Sequence, residues 1–184
     1  MNRFMIVVNP DKDTDSTVTN RIQSYLEAHG ATCMVRDVFH LEFSDWEALK
    51  KEQFGCVLVL GGDGTLLRMA GETEDIDIPL FGINLGTVGF LTEGEVANIE
   101  EILDRLLTDD FTIEERMMVT GTVTKADGTT YRKSALNDIV ISRAGFSRLI
   151  GLNVSVDGQV LDTYEADGVV ISTPTCLLYT SDAA

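Results

Sequence analysis

The sequence has 184 residues, 44% of them hydrophobic and three of them proline, which excludes a disordered chain and leaves room for one large domain or two small ones. Thirty acidic against fourteen basic residues give a formal charge of −16, which repels a phosphate backbone and excludes nucleic acid as an expected partner. No apolar run approaches the roughly 18 residues of a membrane span, and the opening MNRFMIVVNPDKD lacks the long apolar stretch of a signal peptide, so the expectation is a cytoplasmic chain with no membrane partner.

Taken in chain order, RFMIVVN reads as a first strand. Val18, Ile22, Tyr25 and Leu26 then recur at helical spacing, and Gly30 stands where a helix ends. TCMVRDV is a second strand, and Ser44 with Glu47 has the spacing of a capping box opening a short helix that carries Trp46 and Leu49. CVLVL is a third strand with glycine on both sides, followed by a helix from about Thr65 and a strand PLFGI. Ile99, Ile102, Leu103 and Leu106 mark one more amphipathic helix. Strands alternating with helices predict a parallel sheet covered by helices over residues 1–108, an α/β domain of Rossmann-like type.

After about Asp109 the texture changes to alternating threonine, valine and tyrosine, with Asp127-Gly128 and Asp157-Gly158 as hairpin signals. Residues 109–175 therefore read as a separate antiparallel β segment. Cys33, Cys56 and Cys176 are widely spaced and odd in number, which reads as buried thiols in a reducing compartment. His29 and His40 show no metal-ligand spacing.

The chemistry concentrates in Gly61-Gly62-Asp63-Gly64-Thr65, between a predicted strand and a predicted helix. Open α/β sheets bind ligands at that edge. Glycines there let backbone approach a phosphate and adopt positive φ, the helix start adds partial positive charge, and Asp63 faces the ligand. The loop lacks the GK[ST] ending of a P-loop and is not GxGxxG. On its own it is equally a plain Asp-Gly turn. FGINLGTVGFLTE, ALNDIVISR and YEADGVVISTPT follow it in that order.

Together these four stretches, spanning about Met5 to Thr175, resemble the NAD kinase family, although lipid kinases and phosphofructokinases share an approximate GGDGT loop. The resemblance implies transfer of the ATP γ-phosphate to the 2′-hydroxyl of the NAD adenosine ribose, with Asp63 taking the hydroxyl proton. It implies Gly61, Gly62 and Thr65 near the donor phosphates, with Gly64 close to the NAD, and Asn137 and Asp138 on ribose and adenine. Asp138 replaces the family's glutamate with a carboxylate one methylene shorter. Phe90 becomes an apolar wall, Asp167 of ADG lies near the nicotinamide end, and Thr175 contacts the ligand. Arg68 either assists the phosphates or is a solvated surface arginine. Mg²⁺ or another divalent cation is expected to arrive with ATP, and the family commonly forms dimers or tetramers. The family continues Gly-Ser-Thr-Ala-Tyr after STPT, whereas this chain reads CLLYTSDAA. The expectations are thus a tail of doubtful origin over 176–184, an incomplete β domain, and an inactive, poorly stable fragment. A non-catalytic nucleotide-binding module and a lipid or sugar kinase sharing only the loop are the alternatives.

Overall fold

In the computed structural model, residues 1–86, 89–145 and 148–176 are described; the tail beyond Cys176 lies outside them. The chain divides into two compact units, Met1–Glu115 and the residues from Arg116 on.

The first unit is a five-stranded, all-parallel sheet. Its strands are β1 (Arg3–Val8), β2 (Thr32–Asp37), β3 (Cys56–Gly61), β4 (Leu80–Asn84) and the two-residue β5 (Gly94–Glu95), in the spatial order β2-β1-β3-β4-β5. Four helices cover it: α1 (Thr17–Ala28), α2 (Phe43–Lys51), α3 (Asp63–Glu72) and α4 (Ile99–Leu107). The period-2 alternation of the strands explains the two-sided cover. On one face, Phe4, Ile6, Leu58, Leu60 and Ile83 pack with Ile22 and Leu26 of α1 and with Ile99, Leu103 and Leu106 of α4. On the other, Met5, Val7, Val57 and Val59 pack with Leu49 of α2 and with Leu66 and Met69 of α3. Strands buried on both faces read as unbroken apolar runs, which is why RFMIVV and CVLVL were conspicuous.

Two local details differ from the sequence expectation. The capping box of α2 is formed by Glu42 and Asp45, not Ser44 and Glu47: the helix starts at Phe43, and the Asp45 carboxylate accepts the Glu42 N–H at 2.9 Å. Asp45 is buried and also holds the Arg36 guanidinium of β2, so the capping carboxylate is anchored to the sheet. The helix after the glycine loop starts at Asp63 itself, two residues before Thr65. At α1, Asp13 supplies the cap from outside the helix, accepting the N–H groups of Val18 and Thr19 and the Thr19 hydroxyl.

The second unit consists of antiparallel pairs: β6 (Val119–Thr124) with β7 (Thr130–Ala135), β8 (Asp138–Ser142) with β11 (Gly168–Ser172), and β9 (Ile150–Val156) with β10 (Gln159–Ala166). Both predicted hairpin turns form. Asp157 and Gly158 take φ of 51° and 78°, the paired positive values of a two-residue turn, and Gly128 at 83° closes the longer one. Gly168 has no room for a side chain, since a Cβ there would overlap the Ile141 carbonyl on the paired strand. Val123, Tyr131, Val140, Ile141 and Ile171 are exposed on these strands. Among the described residues no helix is long and apolar enough to cross a membrane.

Leu58 is fully buried at the centre of the sheet, so Leu58→Ala is expected to cost about 2–5 kcal/mol. Val123→Ala on the exposed hairpin is expected to shift stability by under about 0.5 kcal/mol. Urea unfolding reads the first through Trp46 fluorescence and the second through far-ultraviolet circular dichroism, which reports strand content in both units.

Candidate active site

The strand order reverses between β1 and β3: the chain runs from β1 out to β2 and then returns to the opposite side of β1. At such a reversal the loops leaving the strand ends splay apart and open a crevice. The loops after β1, β2 and β3 line a cleft of about 280 Å³ there, with Asn9, Lys12, Val38, Phe39, Thr65 and Arg68 around bare backbone at Gly62 and Gly64.

The glycines divide by role. A Cβ on Gly61 would overlap the Thr65 side chain, so this residue is small to let α3 close onto β3. A Cβ on Gly62 or Gly64 would meet nothing within 4 Å, so these two leave the backbone open to the cleft. The expectation of positive φ is not met at any of the three; among the described residues the left-handed glycines are Gly30, Gly128 and Gly158, and Gly62 is extended at −128°. Steric room, not backbone handedness, is what this loop needs. Thr65 is buried, and its hydroxyl lies 3.5 Å from the Asn9 amide nitrogen, linking the β1 and β3 loops.

Asp63 is the first residue of α3, where the helix dipole favours a negative charge. Its carboxylate is fastened to the loop before β5. Oδ2 accepts the Phe90 N–H at 2.9 Å, while Oδ1 accepts the N–H groups of Leu91 and Thr92 at 3.1 and 3.3 Å and the Thr92 hydroxyl at 3.4 Å. Burial pushes the Asp63 carboxyl up, but these hydrogen bonds together outweigh it and hold the group below the ordinary carboxylate range. Gly89 completes the arrangement: a Cβ there would overlap Asp63 Oδ1. Phe90 itself is exposed. Arg68 is exposed, with its guanidinium 5.6 Å from the centroid of the Phe39 ring.

The second unit gathers Asn137, Asp138 and Thr175 at one end of the β8–β11 ladder. The Asn137 carbonyl accepts the Thr173 N–H at 2.7 Å, the Thr173 hydroxyl accepts the Thr175 N–H at 3.2 Å, and Cys176 Sγ donates to Asp138 Oδ2 at 3.5 Å. Asp167 stands at the other end of the same ladder, where Gly168 pairs with Ser142, roughly 13 Å away by strand rise. There it is exposed and ion-paired with Arg143 Nε at 3.0 Å. These candidates therefore form two places, not one cluster. Burial pushes the Cys33 thiol up to about 11 and the Cys56 thiol up to about 12, so neither is a reactive thiolate.

Residues 4–111 match the ATP-NAD kinase N-terminal domain, more than half of the chain. The chain belongs to the NAD kinase family. It is 42% identical over 179 residues to the NAD kinase of Lachnoclostridium phytofermentans, covering 95% of this chain and 62% of that one, and 39% identical to the NAD kinase of Lachnospira eligens over 95% and 61%. It thus spans about three fifths of the length of these curated relatives. The fold is similar to a crystal structure of yeast NADH kinase complexed with NADH, with a TM-score of 0.76 at 20% identity, over 98% of this chain and 60% of that one.

Sequence reading passed over Gly89, Thr92, Asn9, Lys12 and Phe39. The sequence signal for the first two was the glycine-rich turn itself; for Asn9 and Lys12 it was NPDK immediately after the first strand, at the same sheet edge as GGDGT.

Two outcomes are expected. Gly89→Ala displaces the loop from Asp63 and removes hydrogen-exchange protection at the amides of Phe90, Leu91 and Thr92, without unfolding β3. Asp63→Asn destabilises the chain fully at neutral pH. Because the folded carboxyl titrates below its unfolded value, the stability gap to wild type closes as pH falls below about 4. Denaturant melts at pH 7 and pH 3 read that gap.

Proposed function

We propose that this chain carries the phosphoryl-transfer machinery of an ATP-dependent NAD kinase, which moves the γ-phosphate of ATP to the 2′-hydroxyl of the NAD adenosine ribose and releases NADP. The observation that carries the reading is a lone carboxylate, Asp63, held in its ionised form at the start of α3 beside a glycine-lined cleft.

Phosphoryl transfer asks the protein mainly for positioning and charge neutralisation. The ribose hydroxyl must also lose a proton as its oxygen attacks phosphorus. Oδ1 of Asp63 already accepts three hydrogen bonds and Oδ2 only one. Oδ2 is therefore the atom with a lone pair left for that proton. A carboxyl held below its ordinary range is a weak base, so its contribution falls at the lower end of the roughly 10²–10⁴-fold typical of such groups, with orientation of the hydroxyl as a second part of its role.

In this reading Gly61, Gly62, Thr65 and Arg68 lie along the donor phosphates. Gly64, Phe90, Asn137, Asp138, Asp167 and Thr175 serve the NAD. Among the described residues no three His, Cys, Asp or Glu side chains form a group that could hold a metal. A divalent cation, taken to be Mg²⁺, is expected to arrive with the nucleotide, where it offsets phosphate charge. By resemblance to the family, the full-length protein is taken to be a cytoplasmic homo-oligomer, a dimer or tetramer.

The test joins residues 1–175 to the remaining C-terminal part of the Lachnoclostridium phytofermentans relative. With ATP and NAD this chimera is expected to form NADP. Asp63→Asn is expected to lower kcat at least about 100-fold while KM for NAD stays within about threefold. The 184-residue chain alone is expected not to turn over. A chimera that binds NAD and ATP but forms no NADP overturns the proposal.

A further inference from the structure

Among the described residues, the one side chain that donates a hydrogen bond to the Asp63 carboxylate is Thr92. The other three donors are backbone N–H groups, of Phe90, Leu91 and Thr92, which almost any sequence would supply. Thr92 is buried, and among the described residues its hydroxyl has no hydrogen-bond partner besides Asp63 Oδ1, 3.4 Å away. A buried hydroxyl with a single partner is a specific choice of residue, since valine has the same shape without the polar atom.

The methyl branch of Thr92 is seated separately. A Cβ on Gly82 of β4 would come within 2.9 Å of Thr92 Cγ2 and 3.2 Å of its Cα, so Gly82 leaves a bare place on the sheet that the Thr92 methyl occupies. Leu66 of α3 borders the same place, its Cδ2 lying 3.2 Å from that Cβ position. Two residues later Gly94 pairs with Ile83 of β4, which ties the backbone at Thr92 to the sheet. A β-branched side chain is stiff at χ1, so seating its methyl also sets where its hydroxyl points. Sheet, helix and carboxylate thus converge on one threonine.

The two oxygens of a carboxylate are equivalent until their surroundings distinguish them. We propose that Thr92 is a positioning residue for phosphoryl transfer: its hydroxyl completes the set of donors on Oδ1 and holds the carboxylate turned so that Oδ2 presents its unused lone pair to the acceptor hydroxyl. The proposal rests on the kinase reading for what Oδ2 meets, whereas the bond between Thr92 and Asp63 stands apart from it. Thr92 keeps its own proton throughout. The proton that moves passes from the acceptor hydroxyl to Oδ2 as the hydroxyl oxygen bonds to phosphorus and ADP leaves. Burial pushes the Asp63 carboxyl up, and neutral donors alone hold it low: the N–H groups of residues 90–92 and the Thr92 hydroxyl. Removing that hydroxyl therefore raises the carboxyl as well as loosening it.

Three variants separate the two branches of the side chain. Thr92→Val keeps the shape and loses the hydroxyl, Thr92→Ser keeps the hydroxyl and loses the methyl, and Thr92→Ala loses both. In the chimera, Thr92→Val and Thr92→Ala are expected to lower kcat about two- to tenfold with KM for NAD within about twofold, and Thr92→Ser to recover most of that loss. Denaturant melts of the 184-residue chain read the bond without catalysis. Because the hydroxyl helps hold the folded Asp63 carboxyl below its unfolded value, Thr92→Val loses stability relative to wild type above about pH 4 and regains it as pH falls through the folded value. The Thr92→Ser difference, which comes from the methyl, is the same at pH 7 and pH 3. The proposal is overturned if Thr92→Val and Thr92→Ala keep the wild-type kcat, if Thr92→Ser loses as much as Thr92→Val, or if the Thr92→Val difference does not change with pH. NADP formation by the chimera with unimpaired Thr92→Val and Thr92→Ala sinks the positioning role and leaves the kinase reading standing. A pH-linked Thr92→Val difference with no NADP formed by the parent chimera overturns the kinase reading, and with it the role in catalysis, and leaves only the bond to Asp63.

Discussion

One carboxylate ties the candidate site together. Asp63 leaves β3 at the first position of α3 and binds the backbone of residues 90–92, which would otherwise be a free loop leading into β5. A single side chain thus fixes two glycine-rich segments that lie far apart in sequence. The same bonds keep the carboxyl ionised, so the structural and the chemical demands on this residue favour one protonation state. Gly89 follows from that contact, because any side chain there would occupy the space of the carboxylate.

The sheet order explains why the contact is where it is. With β1 and β3 adjacent at the centre and the chain diverging on either side of them, the loops after β1, β2 and β3 open at one edge. Two apolar layers, one per face, hold the strands in register and leave that edge as the place where irregular backbone is tolerated. Asn9 and Thr65 join the two central loops directly, so the cleft has a fixed floor.

The parallel sheet was readable because double-sided burial writes itself as continuous apolar runs, and the amphipathic helices because Ile99, Leu103 and Leu106 recur at the helical period and are buried as expected. The hairpins were readable because Asp157-Gly158 tolerates the paired positive φ values that a two-residue turn demands. The start of α2 was misplaced: its capping carboxylate is Asp45, which also holds Arg36 of β2, a contact that no local pattern reveals. At the site, GGDGT marked the right edge but not the reason for its glycines. What Asp63 touches depends on a loop 27 residues later, and the convergence of Lys12 with Arg68 depends on the strand order. Both are consequences of topology, which composition and spacing do not encode.

The central position of β1 also governs how the chain must assemble. Within this sheet the strand comes first in chain order, yet its two neighbours are β2 and β3, so its Phe-Met-Ile-Val run waits through two helices and a second strand before it is covered on both edges. Pairings between distant segments form slowly because loop closure precedes any contact energy. During that interval the stretch is an exposed, uncharged, β-prone segment, the kind that associates with other chains. Completion of β3 is therefore the event that ends the chain's most vulnerable period, and the strand that delivers Asp63 is also the one that closes the core.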